Sequence, residues 1–202
     1  MITEEIAPIL NIIQNRRVEG NVVVVALDGR SGVGKSTLAE AIAVHENGAF
    51  VDQDDFYSGG GHEHWSALSA EERSKLCIDW RRVREELLLP LISKRQASYV
   101  PFDWNAMKHS QDDVRIIEPA NVIVVDGTYS TRTELLDLID VTVLVTLCDS
   151  IRQQRLRDRE RDDWCLEWYE MWDQAEDVYF RDVCNSEDFD IVIDRTPHRA
   201  VE

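Results

Sequence analysis

The sequence predicts an α/β domain built on a mostly parallel sheet. Short apolar runs at 22–27, 121–125 and 141–146 alternate with stretches of helical periodicity. The run at 22–27 is continuous rather than alternating, as in a strand covered on both faces. The first run also passes straight into a glycine-rich loop and then a helical pattern, the start of a strand–loop–helix unit.

Each element has its own signal. Ile2, Ile6, Ile9, Leu10 and Ile13 recur at helical spacing, so a helix is expected over about 3–16, with Pro8 in its first turns or kinking it. Residues 22–27 form the first strand, 29–34 a loop, 35–44 a helix and 49–52 a second strand. Residues 58–66 are Gly/His-rich and read as a mobile loop. Ser69 and Glu72 have capping-box spacing and open a helix. Asp79 caps another, with Val83, Leu87 and Leu91 on one face. Residues 121–125 and 141–146 are strands. Thr131 and Glu134 suggest a further capping box and a short helix. Asp149 begins an Arg-rich helix, a second helix covers about 163–180, and 190–194 is the last strand.

The chain has 202 residues, of which 44% are hydrophobic and 30% charged. That suits one globular domain, read here as 1–202. The formal net charge of −17 disfavours nucleic acid as a partner. No apolar run approaches the roughly 20 residues that span a bilayer, and the N-terminal residues are acidic where a leader would be basic. Cys77, Cys148, Cys165 and Cys184 are widely spaced, as reduced thiols are. The expected location is cytoplasmic, with no membrane partner. Positive charge is concentrated instead: Arg152, Arg155, Arg157, Arg159 and Arg161 fall close together.

Residues 29–37 read G-R-S-G-V-G-K-S-T, the Walker A pattern G-x-x-x-x-G-K-S. Gly29, Arg30, Ser31, Gly32, Val33, Gly34, Lys35, Ser36 and Thr37 are therefore expected to bind nucleotide. Glycines let the backbone curl round an anion, N–H groups and a helix N-terminus point at it, Lys35 reaches the phosphates and Ser36 takes a place on Mg²⁺. Asp126 ends an apolar strand, the Walker B arrangement, and is expected beside the same metal. No guanine-reading N-K-x-D and no transporter L-S-G-G-Q stretch is present. The acids after the second strand, in Q-D-D-F-Y at 53–57, face the phosphate loop. Asp54 is expected to orient an acceptor hydroxyl and take its proton; the alternative is that acids there cap a helix.

These residues resemble the uridine kinase / phosphoribulokinase family of small P-loop kinases, which also holds nicotinamide riboside kinases. The likeness covers most of 20–194. It rests on G-R-S-G-V-G-K-S-T, Q-D-D-F-Y, Ile78-Asp79-Trp80, the 99–104 stretch Y-V-P-F-D-W, Val125-Asp126-Gly127 and the Arg-rich stretch. It implies a three-layer P-loop NTPase fold with a five-stranded parallel sheet and a small lid at about 152–164. It further implies Asp54 as general base, Tyr57 lining the acceptor pocket, Asp79 on ribose hydroxyls, and Phe102 where uridine kinases have a tyrosine beside the base. The lid arginines would clamp phosphates, with Arg155 on the nucleotide, Arg159 in catalysis and Arg161 at the acceptor. The chain departs from the family in carrying Asp126 where Glu is usual, in lacking the string E-R-G-R-D, and in its H-x-H loop at 62–64.

Trp164, Trp168 and Trp172 recur at four-residue spacing and read as a packing stripe, although they could stack on a base. His62 and His64 read as a solvated loop and not a metal site. The expected function is ATP- and Mg²⁺-dependent phosphoryl transfer to a small-molecule phosphoacceptor, a nucleoside such as uridine ahead of nicotinamide riboside, pantothenate or glycerate. An ATP-binding switch without an acceptor is the other class.

Overall fold

In the computed structural model, residues 2–110, 112–161 and 165–197 are described. Trp164, Asp162 and the last residues of the expected lid lie outside them.

Helix α1 (Ile2–Arg16) leads into β1 (Val23–Asp28), α2 (Lys35–Glu46) and β2 (Ala49–Asp52). A 3₁₀ turn (Gln53–Phe56), α3 (His62–Ser66) and α4 (Ala70–Leu76) follow. Next come α5 (Trp80–Arg82), a π-helical stretch (Val83–Leu88) and α6 (Leu89–Ile92), which run on without a break. Four short strands come next: β3 (Ala97–Tyr99), β4 (Phe102–Asp103), β5 (Lys108–His109) and β6 (Arg115–Ile117). The chain closes with β7 (Val122–Asp126), β8 (Val141–Thr146), α7 (Asp149–Glu160), α8 (Leu166–Asp182) and β9 (Ile191–Asp194).

The main sheet is five-stranded and all parallel, in the order β2-β7-β1-β8-β9. β1 is buried along its whole length, as its β-branched run requires. One face packs against α1 and α2 through Ile9, Ile13, Leu38 and Ile42. The other packs against the helices from Val83 to Leu91 and against α8. Because the strands are parallel, their carboxyl ends share one edge, and acids end four of them: Asp28, Asp52, Asp126 and Asp194. Asp52 and Asp126 are register partners there, which brings two carboxylates together.

Ser69 and Glu72 form both halves of a capping box, and Asp79 caps α5. Val83, Leu87 and Leu91 are fully buried, but their strict four-residue spacing passes through the π stretch. Two expectations need correction. No capping box forms at Thr131, where only a 3₁₀ turn (Leu136–Leu138) is present. Thr131 Oγ1 donates to Asp28 instead, at 2.7 Å, and Glu134 is taken by Arg132. The segment 58–66 is not all loop: α3 forms because Trp65 is buried to 1% exposure. The hairpin pairs β3–β6 and β4–β5 went unexpected, being two or three residues long.

Candidate active site

The phosphate loop joins β1 to α2 through left-handed backbone, with φ of 147° at Gly29, 84° at Gly32 and 94° at Gly34. A Cβ at Gly32 would come within 2.7 Å of the Arg152 carbonyl oxygen, and one at Gly29 would collide with that of Val145. The loop thus needs glycine for curvature and for close packing. Gly34 precedes α2 without any side-chain cap, so the first N–H groups of that helix stay open to an anion. Lys35 is buried, and its Nζ donates to the carbonyl oxygens of Gly29 (2.8 Å) and Arg30 (3.2 Å) and to Thr128 Oγ1 (3.2 Å).

The loop borders a cleft of ≈ 910 Å³ at the carboxyl edge of the sheet. Ser31, Gly32, Gly34, Lys35, Ser36 and Thr37 line it, with Asp126 beside them. Gly29 and Val33 form the loop from behind. Arg30 also stands back, its guanidinium paired with Asp149 and Asp177. Asp126 is buried, and burial raises its carboxyl pKa while Lys35 and a hydrogen bond with Ser36 lower it. Its Oδ1 is buried without a hydrogen-bond partner. A hydroxyl and an unsatisfied carboxylate oxygen form a hard-donor pair that fits Mg²⁺. No group of three or more His, Cys, Asp or Glu among the described residues could hold a metal by itself.

The segment 53–57 sends successive side chains in different directions. Asp52 takes the capping role, accepting from the Asp54 N–H at 2.9 Å. Asp54 is thereby left to line the cleft, and Gln53 is buried against Gly127. Asp55 turns the other way: it is buried, accepts from Tyr99 Oη at 2.8 Å and pairs with Arg115, pinning β3 and β6. Phe56 enters the core and Tyr57 returns to the cleft wall. Desolvation first, and then the charges of Asp52 and Asp126, push the Asp54 carboxyl up to about 7; Lys35 and Arg159 oppose them. Protein crowds this carboxyl on several sides, yet its surface is open to the cleft. Water weakens the desolvation there, so the upward direction rests most firmly on the two neighbouring acids.

The far end of the cleft is aromatic. Tyr57, Trp104, Trp168, Tyr169 and Trp172 line it with Cys77 and Ile78. Tyr57 stacks on Trp104 at 4.8 Å, and Trp168 meets Trp172 edge-on at 5.5 Å. Trp168 and Trp172 also pack on the core, so the expected packing stripe is a cleft wall as well. Phe102 is buried behind Tyr57 and Trp104 and does not line the cleft. Asp79 is not on the wall either: its carboxylate caps α5, accepting from the Arg82 N–H at 3.4 Å, and its neighbour Ile78 reaches the cleft.

Among the arginines, Arg155 and Arg159 line the cleft, and Arg155 donates to the Val33 carbonyl at 3.3 Å. Arg159 pairs with Glu160. Arg152 is buried and tied to Asp149 and Asp173, a packing role. Arg161 is exposed, has a left-handed φ of 47° at the end of α7, and is not on the cleft wall.

Four residues were not singled out from sequence. Asp28 is buried and accepts from the N–H groups of Gly29, Tyr129 and Thr131 and from Tyr179 Oη. Thr128 donates to the Gly29 carbonyl at 3.0 Å. Glu176 accepts from the Ser31 N–H and, at 2.5 Å, from Ser31 Oγ. Trp104 appeared only as part of a string. Asp28 alone had a signal, an acid ending an apolar strand just before the glycine loop. Arg195, just after β9, also donates to the Gly34 carbonyl at 3.0 Å.

No protein-family model matches the chain, and no curated protein matches it in sequence. Solved structures do. A protein described as a possible uridine kinase from Bacillus stearothermophilus superposes with a TM-score of 0.69 at 22% identity, over 96% of this chain and 99% of that one. A D-glycerate 3-kinase from Cryptococcus neoformans superposes with a TM-score of 0.64 at 15% identity, over 96% of this chain and 95% of that one. The chain therefore has the α/β fold of P-loop kinases of the uridine kinase type, as its motifs led one to expect.

Proposed function

We propose that the protein is a kinase that moves the γ-phosphoryl group of ATP to a hydroxyl of a small acceptor bearing a flat ring, a nucleoside being the best match. The observation that carries this reading is Asp54. It faces the cleft between the phosphate loop and the aromatic wall, while Asp52 does the capping that would otherwise explain an acid there. A carboxylate there could also orient water; the aromatic wall beside it is what favours an alcohol acceptor over simple hydrolysis.

In this reading ATP lies with its phosphates on 29–37, and Lys35 exchanges its carbonyl partners for phosphate oxygens. Deprotonated Asp54 orients the acceptor hydroxyl and accepts its proton as the new O–P bond forms and the bond to the ADP oxygen breaks. Arg155 and Arg159 offset the charge of the transferring group. Ser36 and Asp126 would hold Mg²⁺, which neutralises phosphate charge when bound.

The aromatic lining supports a ring-bearing acceptor, because ring faces suit stacking. Among the described residues Lys35, Arg155, Arg159 and Arg195 also line the cleft, and Arg159 interacts with Tyr169 of the aromatic wall, so positive charge reaches that end as well. No helix among the described residues is long and apolar enough to cross a membrane.

The test is ADP release from Mg-ATP with uridine, cytidine, nicotinamide riboside, pantothenate and glycerate added singly. Stimulation by a ring-bearing alcohol, lost in Asp54→Asn, is expected. Slow hydrolysis indifferent to every acceptor and to Asp54→Asn would overturn the reading in favour of a switch.

A further inference from the structure

Helix α8 touches both ends of the cleft. Trp168, Tyr169 and Trp172 belong to the aromatic wall. The next residue, Asp173, pairs with Arg152 at 2.8 Å, and one turn beyond Trp172 Glu176 holds Ser31 and Asp177 pairs with Arg30. Residues 168, 172 and 176 follow four-residue spacing and so share one helix face. The helix is thus fastened to the phosphate loop at two consecutive loop residues, and the buried fastening is the Glu176 carboxylate.

Glu176 is 3% exposed. A buried carboxylate is costly unless it is hydrogen-bonded. Glu176 takes both donors of Ser31, backbone and hydroxyl. Burial pushes its pKa above the usual carboxylate value, against the hydrogen bonds from Ser31 and the charges of Lys35 and Arg152, which favour the charged form. Nothing in phosphoryl transfer calls for a third acid at this point, since Asp54 and Asp126 have the proton and metal roles.

We propose that Glu176 is a positioning residue: through Ser31 it locks the phosphate loop to α8, so that the donor loop and the aromatic acceptor wall shift as one body. This rests on the kinase reading for the name of the acceptor end, but not for the coupling itself. Filling the loop should move α8 and change the surroundings of Trp168 and Trp172.

The probe is Mg-ADP alone, which needs no acceptor. Its affinity is measured by calorimetry and the protein's response by tryptophan emission, in wild type, Glu176→Gln, Glu176→Ala and Ser31→Ala, with thermal melts to verify folding. Wild-type protein should bind Mg-ADP with a change in emission, and Trp168→Phe with Trp172→Phe should remove most of that change. Glu176→Ala should weaken Mg-ADP by about tenfold, the worth of one charge-assisted hydrogen bond, and lose the emission response. Glu176→Gln keeps an acceptor for Ser31 and removes a negative charge near the phosphates, so its affinity should stay within about twofold of wild type or tighten, with the response retained. If Glu176→Ala folds, binds Mg-ADP like wild type and keeps the response, the proposal is wrong. It is equally wrong if Gln and Ala behave alike, the mark of mere packing. Failure of wild type to bind Mg-ADP would overturn the kinase reading together with this one, whereas a binding protein without coupling overturns this one alone.

Discussion

The phosphate-loop part of the cleft and its aromatic part, the donor and acceptor halves in the proposed reading, are built by different means. The donor half is mostly backbone: a glycine loop with φ of 84° and 94° at two positions, and an uncapped helix N-terminus. Seven consecutive residues and one strand-end acid specify most of it. The acceptor half is side chains gathered from afar: Tyr57 after the 3₁₀ turn, Trp104 between two-residue strands, and Trp168 and Trp172 on α8. Phosphate is always the same anion, so one loop geometry serves it. In the proposed reading an acceptor is particular, and its wall is assembled from short elements free to vary. Asp54 stands at the seam between the halves.

Breaking each half separately sharpens the contrast. Lys35→Ala should have the largest effect, removing transfer by about 10³-fold and weakening ATP as well, because it strips the donor half of its one lysine. Asp54→Asn should cut kcat by about 10²–10⁴ while ATP affinity, read by calorimetry, stays put or improves. A variant that lost ATP binding to the same extent as turnover would blur the division.

The pH profile reports the seam. The pKa of Asp54 is raised towards about 7. The base is therefore increasingly protonated below neutrality, and kcat should fall about tenfold per unit there and level off above. Bound nucleotide and metal will move the midpoint, so the slope of the acid limb is the diagnostic. A flat profile from pH 5 to 8 would remove Asp54 as the base.

On the acceptor side, Trp104→Ala should raise the acceptor KM by about tenfold and leave the KM for ATP unchanged, because this exposed ring contributes a stacking face and little core packing. The smallest effect is on stability. Folding raises the Asp54 pKa above 3.8, so the folded state binds the proton more tightly than the unfolded state. Stability from this group therefore falls as pH rises from about 4 to about 7, and the cost is fully present above that. Asp54→Asn should then melt slightly higher than wild type at pH 8 and indistinguishably at pH 4. Equal melting at both would mean that the carboxyl is well solvated.

The two halves also differ in how far the sequence exposed them. The sheet strands, α2 and the Ser69 capping box could be read because β-branched runs, glycine spacing and caps act locally. Lys35, Ser36, Asp54 and Asp126 were legible for the same reason, lying in or beside such signals, while Tyr57 was assigned by resemblance, and all of them line the cleft. Phe102 and Asp79 were assigned to the acceptor by resemblance, and the first is buried while the second caps a helix. Which of two adjacent acids faces the cleft depends on Tyr99 and Arg115, some 44 and 60 residues downstream of Asp55. The Thr131 capping signal failed because a buried acceptor, Asp28, outcompeted it. Glu176 had no signal, being one acid among many on a long helix whose partner lies 145 residues earlier.

The most direct test of the central claim is the fate of a labelled γ-phosphoryl group. Protein is incubated with γ-labelled Mg-ATP and a ring-bearing alcohol that stimulates ADP release, and label is measured in the phosphorylated acceptor and in inorganic phosphate. The account predicts label in the acceptor for wild type and its near-complete loss in Asp54→Asn. Label appearing only in inorganic phosphate, at equal rates in both proteins, would contradict it.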